Sequence, residues 1–217
     1  MDYLLTYYDR GFSGNPYDAG TDRTYSMDSL PQELSCYGNG DFRSASLMLE
    51  NGDGSMSCDM RYKNYTIRDG KYSLPGLPAV YADNDEAQTL EIVLEDPATG
   101  VEAMLLYGVL PELDIITRSV YIRNQSSEKI YVNKVMSAEL DFLYGDYDLL
   151  TFYGRHAMER NLQRVPVAHG SQMIGSVRGT SSHQYNPMMI LAEKDTTEDH
   201  GGCYAMSFVS VSYTHLT

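Results

Sequence analysis

The chain has 217 residues, with 30 Asp and Glu against 16 Lys and Arg and a formal net charge of -14 at pH 7. That length suffices for one large all-β domain or two small ones, and for a sizeable core. The acidic balance, with no clustered run of Lys and Arg, argues against a nucleic-acid partner, and apolar runs such as 103–106 and 188–192 fall far short of the roughly 20 residues a membrane helix needs.

Residues 7–28, YYDRGFSGNPYDAGTDRTYSMD, follow neither a helical nor a strand period and form a long loop in this reading. Two acid-base pairs, Asp9-Arg10 and Asp22-Arg23, sit there among Gly, Ser, Asn, Pro and Tyr, a composition that turns and displays polar groups. Loops of such length inside a compact domain are usually functional or disordered. A helical turn is expected at 30–34, broken by the turn chemistry of Tyr37-Gly38-Asn39-Gly40-Asp41.

Short β-type runs follow at 46–50, 57–63 and 65–68. Asn51-Gly52-Asp53-Gly54 between the first two is a strong hairpin signal, and the three runs read as a meander ended by Pro75-Gly76-Leu77-Pro78. In 89–95 the residues Leu90, Ile92 and Leu94 share one face at period two, and a turn at 97–100 leads to a strand at 101–109. Strands are expected next at 115–124 and 129–142, the latter placing Ile130, Val132, Met136, Ala138, Leu140 and Phe142 on one side. Further strands at 149–153, 161–168, 172–178, 188–193 and 203–209 complete an all-β, antiparallel β-sandwich with little helix, read as one domain over 1–209.

Few motifs carry chemistry. Cys36, Cys58 and Cys203 are an odd set without CxxC spacing, which indicates neither a zinc site nor a disulfide framework and makes a cytoplasmic location the simplest expectation. The five histidines are widely separated, and none has a second ligand at i+2 or i+4. No nucleophile elbow, P-loop or dinucleotide fingerprint is present, so neither metal nor cofactor is expected. Two polar constellations remain beside the opening loop. In residues 38–43 an Asp and an Arg flank Phe42 and can pair to fix a turn, and residues 178–187, RGTSSHQYNP, offer unusual hydrogen-bonding capacity. With 19 Tyr and no Trp, any sugar stacking falls to Tyr or Phe.

In order along the chain, DRGFSGNP, TDRTYSMDSLPQE, YGNGDFR, DMRYKNYTIRDGK, LPGLPAVY, TLEIVLED, ITRSVYIRN and SVRGTSSHQYNPMMIL resemble the N-terminal β-supersandwich domain of bacterial α-galactosidases of glycoside hydrolase family 36. The resemblance implies a parent enzyme that removes terminal α-linked galactose with retention, its two catalytic carboxylates carried by a (β/α)8 barrel beyond this chain. It also implies a homotetramer in which the opening loop of one subunit reaches a neighbour's α-galactoside pocket, with Asp9 and Arg23 as its substrate contacts. No residue here matches either catalytic carboxylate. The preference between galactose and N-acetylgalactosamine would likewise be set in the barrel, and a non-catalytic carbohydrate-binding or assembly sandwich is the alternative reading.

Three departures from the family pattern accompany the match. The family begins some tens of residues earlier, so the chain is expected to be cut at its start. Residues 152–160 lack the Trp that the family more often has. Residues 210–217 form an off-pattern tail, read as a truncation or assembly artefact.

Overall fold

The computed structural model describes residues 31–142, 144–178 and 181–209. Among these residues ten strands run in the order β1 (Leu47–Glu50), β2 (Arg61–Asp69), β3 (Gln88–Asp96), β4 (Val101–Leu110), β5 (Ile115–Asn124), β6 (Tyr131–Val135), β7 (Tyr147–Arg155), β8 (Met158–Pro166), β9 (Met188–Glu193) and β10 (Cys203–Ser207). A 3-10 turn at Pro111–Leu113 links β4 to β5. Every ladder between strands is antiparallel, which agrees with the all-β expectation.

The described residues divide into two compact units, one from those up to Tyr72 together with Ala82–Asp141, the other from Ser73–Tyr81 together with those from Phe142 on. The first unit holds the four-stranded sheet β2-β3-β4-β5 and the two-stranded sheet β1-β6. Between these sheets lies a core of Leu34, Cys36, Leu47, Leu49, Cys58, Val101, Ala103 and Leu105, with Ile92, Leu94, Val120 and Ile122 packed around it. The alternation Val101, Ala103, Leu105 on β4 supplies the floor, and its register sets Ile92 opposite Leu105 and Leu94 opposite Ala103. The period-two face expected on β3 therefore meets the core.

Burial on β4 extends to its other face. Glu102 is buried there, and it accepts hydrogen bonds from Lys63 Nζ at 2.8 Å and Gln125 Nε2 at 2.9 Å. First the Gln125 bond and then Lys63 hold its carboxyl below the usual range, so it stays ionised and paired rather than stranded. Strand β2, the sheet edge, is exposed along its length and carries Arg61, Lys63 and Arg68, charges that discourage edge-to-edge pairing. Cys36 and Cys58 remain free thiols in the core, where the bond to Cys36 and then burial push the Cys58 thiol upward and keep it protonated.

Several local expectations fail for tertiary reasons. The Asn51-Gly54 turn forms, with Asn51 N–H donating to Ser55 O at 2.8 Å and Gly54 N–H to Asn51 O at 2.9 Å, yet it joins no hairpin. Strand β1 pairs with β6 and β2 pairs with β3, because Leu47 and Leu49 bury fully only against β4. The separate runs at 57–63 and 65–68 become one strand with a bulge between Tyr62 and Asn64.

The long strand expected over 129–142 stops at Val135. Beyond it the side chains of Glu139 and Asp141 take over: Glu139 Oε2 accepts from Ser35 N–H at 2.6 Å and Ser46 Oγ at 2.7 Å, and Asp141 Oδ2 accepts from Gln32 N–H at 2.9 Å. The helical turn expected around 30–34 is a bend where described, and the run at 172–178 joins no ladder, leaving Met173 and Val177 in solvent.

The second unit is built on the sheet β10-β9-β7-β8. One of its faces carries an aromatic cluster in which Tyr204 lies 5.0 Å from Phe142 and 6.2 Å from Tyr147 between ring centroids. On the other face Asp148 accepts from Lys194 Nζ at 2.6 Å and from Arg164 Nε at 2.7 Å. These bonds, Lys194 first, hold the Asp148 carboxyl below the ordinary carboxylate range.

Two outcomes follow from this packing. Leu47→Ala should lower unfolding free energy by about 2–5 kcal/mol in urea titrations, since a fully buried Leu loses its transfer energy and leaves a cavity; a loss near zero would mean the two sheets do not share that core. For Asp148, a depressed folded pKa stabilises above the unfolded value near 3.9 and the gain vanishes as pH falls through the folded value. Asp148→Asn should therefore reduce Tm at pH 7, with the gap to wild type closing as pH falls through the depressed folded value. A gap independent of pH would assign the effect to packing instead.

Candidate functional site

The second unit brings a polar cleft together at the far end of β7. Strands β7 and β8 are joined by His156 and Ala157, with Arg155 opposite Met158, and the register shifts by a bulge between Tyr153 and Arg155. The tip is tightly wound. Ala157 and Arg160 both sit at positive φ, 62° and 56°, a region non-glycine residues enter at a cost of about 1–2 kcal/mol. Gly154 makes the crossing feasible, because a Cβ there would collide with the carbonyl of Met158 and stand 2.9 Å from Cα of Glu159.

The second wall arrives through sheet register. Strand β9 starts at Met188 and pairs with β7 so that Met189 faces Thr151, which carries the preceding residues alongside the end of β7. Asn186 N–H donates to Phe152 O at 3.4 Å, and a turn closes where Tyr185 N–H donates to Ser182 O at 3.2 Å. The resulting cleft of about 600 Å³ is lined by Arg155 and His156 from the hairpin and by Arg178, Ser182, His183 and Gln184 among others from the irregular segment. Glu159 sits beside it with its carboxylate accepting from Ala157 N–H at 2.9 Å. Backbone N–H groups, of Glu159 itself and then of Ala157, hold that carboxyl below its usual range, with His183 adding a smaller attraction.

The 178–187 constellation thus lines a real cleft over its described residues, whereas residues 179 and 180 lie outside them. Arg155 and His156 were missed as site members. Nothing local marks them, since only the β7–β9 pairing carries them to the other segment. Asp9 and Arg23, the substrate contacts that the resemblance implies, lie outside the described residues.

The other constellation is a structural lock. Arg43 Nε donates to Asp41 Oδ1 at 2.9 Å, Arg43 Nη1 donates to Asp141 Oδ2 at 2.5 Å, and Glu139 lies 3.7 Å away. Burial would lower Arg43, but Asp41 and then Asp141 outweigh it and raise it further, so the cation is firmly held. Three carboxylates converge here, and each is engaged by a cation, amide or hydroxyl that fixes chain segments. That is the pairing of Asp41 with Arg43 expected from the turn. Among the described residues no group of three or more His, Cys, Asp or Glu is placed to hold a metal ion, and no helix is long and apolar enough to cross a membrane.

Fold and site together define an antiparallel β-sandwich domain with an open polar cleft at a hairpin tip. The chain belongs to glycoside hydrolase family 36: the model of the glycosyl hydrolase family 36 N-terminal domain matches residues 5–211. It is 61% identical over 209 residues to the bifunctional alpha-galactosidase/sucrose kinase AgaSK of Mediterraneibacter gnavus, covering 96% of this chain and 22% of that protein. The solved galactosidase domain of an alpha-galactosidase-sucrose kinase superposes with a TM-score of 0.85 at 60% identity, over 94% of this chain and 28% of the other. The family 36 alpha-galactosidase AgaA of Geobacillus stearothermophilus, solved in complex with raffinose, gives a TM-score of 0.83 at 41% identity, over 91% of this chain and 27% of the other. The chain therefore spans about a quarter of the length of the relatives it matches, and they confirm the resemblance carried by its motifs.

The hairpin tip supplies a test of its own. Gly154→Ala should destabilise the second unit by roughly 1–3 kcal/mol, the range for forcing atoms into filled space. Thermal unfolding followed by near-UV dichroism of the tyrosines would detect it, and an unchanged Tm would show that the bulge relaxes freely.

Proposed function

We propose that this chain is the non-catalytic N-terminal domain of an α-galactosidase that hydrolyses terminal α-linked galactose from oligosaccharides. The observation that carries this reading is the family match along residues 5–211, joined to α-galactosidase relatives of which the chain spans only about a quarter. Hydrolysis with retention needs two carboxyl groups roughly 5–5.5 Å apart flanking the scissile bond. The carboxylates gathered around Arg43, those of Asp41, Glu139 and Asp141, are committed to it and to backbone and hydroxyl donors, which suits a scaffold. In this reading catalysis resides in the downstream barrel, the substrates are galactosides of the raffinose kind, and the parent is a cytoplasmic homotetramer.

The opening loop then has a role in trans. Asp9 supplies carboxylate acceptors and Arg23 a forked donor, the pair of functions that sugar hydroxyls require. In the assembled parent they contact the galactoside in a neighbouring subunit's pocket.

Release of nitrophenol from a nitrophenyl α-galactoside tests both layers. The longer protein should turn over and this chain alone should not; turnover by the chain alone would overturn the placement of catalysis downstream. In the assembled parent, Asp9→Ala or Arg23→Ala should lower kcat/KM by about tenfold or more, the loss of a charged hydrogen bond of roughly 1.5–3 kcal/mol. Unchanged kinetics with native assembly would remove the loop from the pocket.

A further inference from the structure

We propose that the cleft at the β7–β8 tip is a binding site for a small oxyanion, a phosphate or phosphate monoester. It stands on the local geometry and not on the parent's hydrolytic activity. The chain is strongly acidic overall, with a net charge of -14, yet this cleft gathers Arg155, Arg178, His156 and His183 on its walls. Ser181, Ser182 and Gln184 add hydroxyl and amide donors to the same lining.

These basic side chains are available. Among the described residues, the side chains of Arg178, His156 and His183 make no hydrogen bond or salt bridge to a carboxylate, and Arg155 reaches only the sulfur of Met158, at 3.2 Å. Glu159, the nearby acid, accepts the N–H of Ala157 and attracts His183, but it is not among the residues that line the cleft. The acids Asp146 and Asp148 are paired with Lys194 and Arg164 at the opposite end of β7, a strand of nine residues and so about 27–30 Å long. Two guanidinium forks suit the planar, bidentate recognition of phosphate oxygens. A volume of about 600 Å³ falls within the range of small-ligand sites and is too small for a folded partner. Sequence inspection finds no basic cluster because Arg155 and Arg178 are far apart in the chain and meet only through the β7–β9 register.

Calorimetric titration of the intact chain with inorganic phosphate, at constant ionic strength and with galactose as the neutral control, tests the site. One saturable phosphate site is expected, weakened roughly fivefold or more by Arg155→Gln and by Arg178→Gln and only partly by Arg178→Lys, with unchanged circular dichroism. Both arginines are exposed, so neither change threatens the fold. Absence of saturable phosphate binding overturns the proposal, as does binding insensitive to both Gln variants. Binding of galactose or of poly-glutamate at these residues without phosphate binding overturns it too, assigning the cleft to a neutral sugar or to an acidic polypeptide.

Discussion

Burial of Leu47 and Leu49 against Val101, Ala103 and Leu105 is the contact on which the first unit depends. A two-stranded ribbon has no independent stability, and β1-β6 persists because it lays these leucines on the floor that β4 provides. Strand β4 can serve as that floor because it is buried on both faces, with its one charged side chain, Glu102, paired with Lys63 of β2 and with Gln125 just past β5. The core thus selects the partner of β1, overriding a turn sequence whose local chemistry favours a hairpin with the next strand.

The same logic explains where ladders stop. Past Val135 the chain keeps its alternating pattern, but Glu139 and Asp141 reach Ser35, Ser46, Gln32 and Arg43, and these bonds satisfy buried or half-buried donors that an ordinary strand would leave unmet. Arg43 gathers carboxylates from two distant stretches and locks the edge of the core. A cluster of three acids, which in isolation suggests acid-base chemistry, is here spent on connectivity.

In the second unit the register of β9 on β7 decides what the hairpin tip meets. Pairing Met189 with Thr151 fixes the approach of the 178–187 segment, and the bulge at Gly154 with the positive φ of Ala157 aims Arg155 and His156 toward it. Backbone strain of this kind is held in place by the surrounding sheet, and it sits beside the cleft that Arg155 and Arg178 line.

The sequence by itself determined the class of the fold and most of its strands. Period-two alternation on β3, followed by the turn that holds Gly100, depends only on neighbours within a few residues and so is legible in one dimension. The ordered motifs also identified the family, and they located the 178–187 segment and the Asp41–Arg43 pair as polar features. Strand partnership, the early end of β6 and the composition of the cleft were decided by the tertiary structure alone. Each rests on contacts between residues tens of positions apart, where burial of apolar area and satisfaction of hydrogen bonds outweigh turn propensity worth about a kilocalorie.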